Sequence, residues 1–421
     1  MQAIPLGVGA NGAARAASRR HAAAAFGNVP PAGAQRNVQR CDAPAVPSGQ
    51  TVTDNAAGEA PRLSNRLLLS TGEPTTASVA TSDRWRIPLQ ITPVECLFVA
   101  LSGKRIFVTG GAGFIATTLI RRLVDANEIV ALDNLHRDTL SGSELAGHPN
   151  LTFVQADVLD ADAVLQAAEG ATHVVHCAAI AGVDTVINNP VLTMKVNLIG
   201  TYNVLEAAHR IGTVERLIEF STSEVFGTHA YNVQEGSVTT TGSVGEARWT
   251  YAVSKLAGEH MAHAYHDEYA LPAVTVRPFN VYGPGQVGGG AIRKFTEDAL
   301  AGRDLEIHGD GSQIRAWCYV DDMVECLLLC LERPEATGQS FNVGNARSAV
   351  TIFDLAQRIK RISGCPGEIV FVPRNYVDVE LRIPNVEKAR ELLGFGAAVD
   401  LDDGLERTIA WHREQLAAAT A

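Results

Sequence analysis

With 421 residues, 46% of them hydrophobic and 19% charged, the chain is long enough to bury a sizeable core. No apolar run approaches the ~20 residues that a membrane helix needs, and a formal charge of −11 speaks against a nucleic-acid partner. Seven cysteines, odd in number and without a CxxC pair, suit reduced thiols in a cytoplasm rather than disulfides or a metal site.

Residues 1–100 are a different material. They are rich in Ala, Gly, Pro, Ser and Thr, hold nine Arg, six acids and no Lys, and lack periodic hydrophobicity until Ile87. Such a composition predicts disorder. The sparse acids also fit an organelle transit peptide, and a third reading places the working start near Val99 or Leu101.

From Leu101 the pattern changes. A strand over 104–109 stops at Gly110-Gly-Ala-Gly113 and restarts as a helix over 113–126. This is the form of a dinucleotide-binding turn: Gly110 makes the tight bend, Gly113 lets the backbone approach a pyrophosphate, and the helix offers its unpaired N–H groups to the phosphates. Ala116 stands where a third glycine is common, and is small enough for helix and strand to pack. The next strand, 128–132, ends in Asp133-Asn134, where a carboxylate hydrogen-bonds the adenosine ribose. Asp133 therefore favours NAD over NADP, and the nearby Arg137 argues the other way.

Further strands are predicted over 151–155, 172–177, 215–220 and 273–277, with helices over 160–169, 190–211 and 249–270 between them. Alternation of this kind predicts an α/β fold, a Rossmann-type doubly wound parallel sheet over 101–278. After Pro278 the texture shifts. The glycine-rich 283–290 reads as a mobile loop over a ligand, and 279–421 as mainly a smaller C-terminal substrate-binding lobe, with some segments returning to the sheet.

The chemistry is expected at Tyr251-Ala-Val-Ser-Lys255. Residues four apart share a helix face, so the Lys255 ammonium is expected beside the Tyr251 phenol, lowering its pKa. A tyrosinate next to an oxidised nicotinamide is a general base towards a substrate hydroxyl as hydride leaves the same carbon. Upstream, Phe220-Ser-Thr-Ser-Glu-Val-Phe-Gly227 puts hydroxyls at the C-terminal sheet edge, where ligands bind in open α/β folds.

From Leu101 to His412 these residues resemble the extended short-chain dehydrogenases/reductases, whose members are epimerases, dehydratases and decarboxylases of nucleotide sugars. The resemblance rests on Thr109-Gly-Gly-Ala-Gly-Phe-Ile115, Asp133-Asn134, Ala156-Asp157-Val158, His176-Cys-Ala-Ala179, Ser221-Thr-Ser-Glu-Val-Phe-Gly227, Tyr251-x-x-x-Lys255 and Arg277-Pro-Phe-Asn-Val-Tyr-Gly-Pro284. It implies NAD contacts at Gly110, Gly113, Phe114, Ile115, Asp133, Asn134, Asp157, Val158, Ala178, Ala179, Tyr251 and Lys255. Thr222 would hydrogen-bond the sugar 4-hydroxyl beside Tyr251, and Asn280 and Arg315 would hold the nucleotide diphosphate. The helices over 190–211 and 249–270 resemble those through which this family forms homodimers, although their apolar stripes suit intramolecular packing equally.

All these enzymes first oxidise C4 of the sugar with bound NAD. Within the resemblance, Ser223 weakens the reading as a dTDP-glucose dehydratase, which has an aspartic acid there, and Glu224 argues against a simple 4-epimerase. Arg248-Trp-x-Tyr-x-Val-Ser-Lys255 and Asp378-Val-Glu-x-Arg382-x-Pro384 look like segments of UDP-glucuronate decarboxylases. Arg382 would then face the substrate carboxylate or the developing enolate, and Glu224 or Arg382 would manage protonation at C5. The expectation is an NAD-dependent UDP-glucuronate decarboxylase giving UDP-xylose or the UDP-4-ketopentose. A 4-epimerase of UDP-glucose or UDP-glucuronate and a nucleotide-sugar 4,6-dehydratase stand as alternatives, with an NAD-sensing scaffold as the non-enzymatic one.

Overall fold

In the computed structural model, which describes residues 101–374 and 378–420, the expected strand–helix alternation runs from Arg105 onward. The disorder expected of residues 1–100 lies outside the described residues. Strand β1 (Arg105–Thr109) leads through the glycine turn into α1 (Phe114–Leu123), then β2 (Glu128–Asp133), β3 (Leu151–Gln155), α2 (Ala161–Ala168) and β4 (His173–His176). Short helices α3 (Val183–Asn188) and α4 (Pro190–Met194) precede a π-helical turn, Lys195–Ile199, and α5 (Gly200–Ile211). Next come β5 (Arg216–Phe220), β6 (His229–Val233), α6 (Thr250–Tyr269), β7 (Ala273–Pro278) and β8 (Val281–Tyr282). The chain continues through α7 (Ala291–Leu300), β9 (Leu305–His308), β10 (Ile314–Ala316), β11 (Cys318–Tyr319), α8 (Val320–Glu332) and β12 (Ser340–Val343). It ends with β13 (Ala349–Thr351), α9 (Ile352–Ser363), β14 (Ile369–Val372), β15 (Leu381–Pro384), α10 (Glu387–Leu393) and α11 (Leu401–Thr420).

Seven strands pair in parallel in the order β12-β7-β5-β4-β1-β2-β3, the doubly wound sheet that the alternation predicted. Both faces are covered, which is why its strands read as apolar runs rather than alternating ones. Ile106 and Val108 of β1 join a core with residues of α1, α8 and α10, whereas Phe107 faces α2, α5 and α6. Strand order reverses between β1 and β4, and open α/β sheets bind ligands at the carboxyl ends of such a switch point.

Two features differ from the sequence expectation. The single helix over 190–211 is interrupted by the π turn, which re-aims the buried Asn197. The second concerns a four-stranded sheet, β13-β10-β15-β6, which takes β6 from upstream of residue 278; β12, from downstream, closes the edge of the large sheet, one of the segments expected to return to it. Strand pairing between segments more than a hundred residues apart leaves no local signature. Among the described residues, no helix is long and apolar enough to cross a membrane.

Candidate active site

Gly110 follows β1 with a φ of +66°, and a Cβ there would sit 2.7 Å from the backbone nitrogen of Ala178, just beyond β4. Only glycine satisfies both the left-handed backbone and that approach. Gly113 caps α1 in an extended conformation without a side-chain hydrogen bond, so the helix N-terminus is open to an anion. Ala116 is buried, the small residue that lets α1 lie on the sheet. Gly110→Ala is accordingly expected to cost about 1–3 kcal/mol of stability, read as a lower denaturant midpoint.

Gly110, Gly113, Phe114, Ile115, Asp133, Asn134, Asp157, Val158, Ala178 and Ala179 line one cleft of about 540 Å³ at the switch point. The cleft therefore collects every cofactor residue expected from the sequence except Tyr251 and Lys255. Asp133 accepts hydrogen bonds from the Ala112 N–H at 3.1 Å and the Leu135 N–H at 2.7 Å. Burial pushes its carboxyl up despite them. Asn134 donates to Asp157 at 3.0 Å, and Asp157 also accepts from the Leu159 N–H at 2.9 Å, fixing the far wall. Arg137, the residue that argued for NADP, also lines the cleft: its Nη2 donates to the Ala181 carbonyl at 2.8 Å, and Gly288 of the glycine-rich loop packs on its guanidinium. Gln286, Val287 and Gly289 of that loop line the cleft. Size, glycine cradle, open helix end and ribose-side carboxylate all suit a dinucleotide.

Phe220 carries the cleft wall to the end of β5. Two residues on, Thr222 opens a 3-10 turn, its Oγ1 accepting the Glu224 N–H at 3.2 Å, and its hydroxyl hydrogen-bonds Tyr251. Burial pushes the Tyr251 phenol well above its ordinary pKa; Glu224 and Glu219 add to this, and Thr222 and Arg382 oppose it. The expected lowering by Lys255 is thus not what the site shows. Lys255 is 1% exposed and donates to Glu219 Oε1 at 2.8 Å, so its charge is shared with a carboxylate on β5. Nothing local to Tyr-x-x-x-Lys reveals that partner.

Beyond Thr222 lies a cationic cluster. Strands β10 and β15 pair with Arg315 opposite Arg382. Arg382, 4% exposed, sits 3.6 Å from Glu224 and donates to the Gly227 carbonyl at 3.3 Å, while its Nε is buried with no hydrogen-bond partner among the described residues. Arg248 grips both oxygens of Glu224, one of them at 3.2 Å. Arg315 pairs with Asp378 at 3.2 Å, and Arg374 lies near it. Burial alone raises Glu224, but Arg382 and Arg248 outweigh it and hold the carboxyl below its usual range. Burial lowers Arg382 to about 10 against the pull of Glu224. Ser223 is buried beside the cluster. Glu224 is therefore held towards its carboxylate form between the two guanidinium groups.

Asn280 adopts a φ of +40° and spends its amide on the Ala316 carbonyl at 2.9 Å, bracing the strand that carries Arg315. His176 is a neutral core histidine, between Thr109 at 2.6 Å and Thr201 at 3.0 Å, with burial first and then Lys255 lowering it to about 3. Four residues of the site escaped the sequence reading: Glu219, Arg248 as a clamp, Arg374 and Asn197. Asn197 bonds both backbone groups of Ile180 and the Ser254 hydroxyl, tying the cleft wall to α6. A signal existed for Glu219, a charge inside the otherwise apolar Leu217-Ile-Glu-Phe220.

Residues 106–344 match the family described as the NAD dependent epimerase/dehydratase family. The UDP-N-acetyl-alpha-D-glucosaminuronate decarboxylase of Bacillus cytotoxicus is 32% identical over 322 residues, covering 74% of this chain and 98% of its own. The UDP-glucuronic acid decarboxylase 1 of Xenopus tropicalis is 33% identical, covering 74% of this chain and 73% of its own. Among solved structures, the UDP-glucuronic acid 4-epimerase of Bacillus cereus, in complex with UDP-glucuronic acid and NAD, superposes with a TM-score of 0.69 at 30% identity. That match covers 74% of this chain and 99% of the other.

Proposed function

The chain belongs to the NAD-dependent epimerase/dehydratase family and is an NAD-dependent enzyme of nucleotide sugars, and from that premise we propose that it decarboxylates UDP-glucuronate to UDP-xylose or the UDP-4-ketopentose. The observation that carries this reading is the excess of buried guanidinium beside Thr222 and Tyr251. Among the described residues Arg382 pairs with Glu224 and Arg315 with Asp378, Arg248 shares Glu224, and the Arg382 Nε has no hydrogen-bond partner. A buried, under-compensated cation is costly unless an anion completes it. A hexuronate carboxylate supplies that anion; a neutral hexose does not.

When bound, NAD accepts the C4 hydride and can return it. The remaining steps fall to side chains. Tyr251 Oη takes the C4 hydroxyl proton as the hydride departs, leaving a ketone β to the carboxylate. The C5–carboxylate bond then breaks, its electrons flowing into the C4 carbonyl and releasing carbon dioxide. Thr222 and Tyr251 donate to the resulting enolate oxygen. Glu224, held as a carboxylate, orients Arg248 and Arg382, and the Arg382 side supplies the proton at C5. Gly110, Gly113, Phe114, Ile115, Asp133, Asn134, Asp157, Val158, Ala178 and Ala179 are the proposed cofactor residues. Arg315, braced by Asn280, faces the diphosphate end.

Incubation with UDP-glucuronate, UDP-glucose, dTDP-glucose and GDP-mannose plus NAD, read by mass spectrometry, tests the reading. Loss of carbon dioxide from UDP-glucuronate supports it, and loss of water from a hexose refutes it. An unchanged mass with inverted C4 favours UDP-glucuronate 4-epimerisation, a second reading supported by the likeness to the Bacillus cereus enzyme.

A homodimer is part of the proposal. Helix α4, the π turn, α5 and α6 leave Val191, Ile199, Tyr202, Val253 and Tyr269 exposed, large apolar side chains on the two helical segments that the resemblance pairs in a dimer. Light scattering is expected to give twice the chain mass, and Ile199→Glu/Tyr202→Arg to give the monomer.

A further inference from the structure

We propose that Glu219 is a positioning residue that sets the charge felt by Tyr251, by holding the Lys255 ammonium in a closed ion pair beneath α6. This rests on the reading of Tyr251 as the base. Glu219 is fully buried on β5, Lys255 is 1% exposed, and the two meet at 2.8 Å. The other carboxylate oxygen of Glu219 is buried and has no hydrogen-bond partner among the described residues, so the pair is not completed as a stabilising network would be. Buried pairs contribute little net stability, because desolvation offsets their attraction. The helix makes room for this one: Gly258 sits mid-helix, where a Cβ would come 3.3 Å from Glu219 Oε1. A glycine at such a position costs about 0.5–1 kcal/mol relative to Ala.

Lys255 lies one turn after Tyr251 on α6, so the ammonium favours the phenolate while Glu219 opposes it. The other charged or titratable groups around them come from every packed element. They are His176 on β4 and Cys177 after it, Glu224 after β5, Glu259 on α6, Arg277 on β7, Arg382 on β15, Asp133 at the end of β2 and Arg137 beyond it. Arg277 is bound to Glu259, Arg382 and Arg248 to Glu224, and His176 stays neutral. Among the described residues, Glu219 is the carboxylate bonded to Lys255; burial raises its carboxyl and Lys255 opposes that rise. Glu219 makes Tyr251 a weaker acid than the Tyr-x-x-x-Lys spacing implies, and moves its working range to higher pH.

The test is an ultraviolet difference titration of the tyrosinate band in the NAD-loaded full chain, subtracting the same titration of Tyr251→Phe. Glu219→Gln keeps an acceptor for Lys255 Nζ and removes the charge, so the Tyr251 midpoint should fall by about one pH unit. Glu219→Asp retains the charge and should keep the wild-type midpoint. If the Gln variant does not fold, Glu219→Ser, which leaves room for water on Nζ, carries the same expectation. A lower melting temperature with an unmoved or raised midpoint would mean a merely structural carboxylate and overturns the proposal. No sugar enters the titration, so its outcome is independent of decarboxylation. Should Tyr251→Phe keep full turnover, the base assignment fails; should it be inactive while the midpoint stays fixed, only the role of Glu219 fails.

Discussion

Tyr251→Phe is expected to lower turnover by about 10²- to 10⁴-fold, the range for a positioned acid or base, while NAD affinity stays nearly unchanged. The substitution removes only the oxygen that accepts the C4 proton. Thr222 loses its hydrogen bond to the phenol, but the ion pairs remain: Glu219 still holds Lys255, and Glu224 is still clamped by Arg248. Burial and then Glu224 hold the phenol protonated, so it turns into a base only with added positive charge beside it, as an oxidised nicotinamide would bring. The rate should accordingly fall as pH drops through the pKa of Tyr251 in the loaded enzyme. Product formation measured against pH, with NAD affinity by calorimetry, checks both halves. Undiminished turnover in the purified variant would remove Tyr251 from the chemistry.

The cofactor cleft was legible in the sequence because its determinants are local. Gly110 and Gly113 follow a strand and open a helix, Asp133 ends the next strand, and each condition lies within a few residues of the last. The parallel sheet was legible for the same reason, since apolar strands alternating with amphipathic helices admit few other packings. The charge arrangement was not. Arg315 faces Arg382 only because β10 and β15 pair in one register, and Glu224 meets Arg382 only because β6 carries β15 to its side. Such contacts join segments far apart along the chain, as in the Arg382 to Gly227 hydrogen bond with a separation of 155. Helix spacing likewise placed Lys255 near Tyr251 but was silent on Glu219, which approaches from beneath α6. Arg382 itself was found through resemblance, and the structure adds what resemblance did not: its burial, its unpartnered Nε and its anchoring carboxylate.

Arg382→Ala and Glu224→Gln are expected to slow loss of carbon dioxide from UDP-glucuronate by about 10²- to 10³-fold, as when a preorganised charge is withdrawn from a developing transition state. The two act at different points. Arg382, buried and with its Nε unpartnered among the described residues, is the proposed cation for the substrate carboxylate. Glu224 is kept ionised by Arg382 and Arg248, so its replacement by Gln preserves shape but releases both guanidinia from their shared anchor. Neither group takes the C4 proton, although Glu224 raises and Arg382 lowers the Tyr251 phenol. A single-turnover experiment should therefore still show NADH appearing, with carbon dioxide release slowed much more than NADH formation. If NADH formation and carbon dioxide release fall together, the cluster serves C4 oxidation and the step assignment is wrong. If UDP affinity alone collapses, Arg382 belongs to the nucleotide site beside Arg315, its partner across the β10–β15 register. If the wild type inverts C4 and leaves the carboxylate in place, the same cations grip that carboxylate without cleaving it. The arginines then define the substrate rather than the reaction, and the enzyme is a 4-epimerase of the hexuronate.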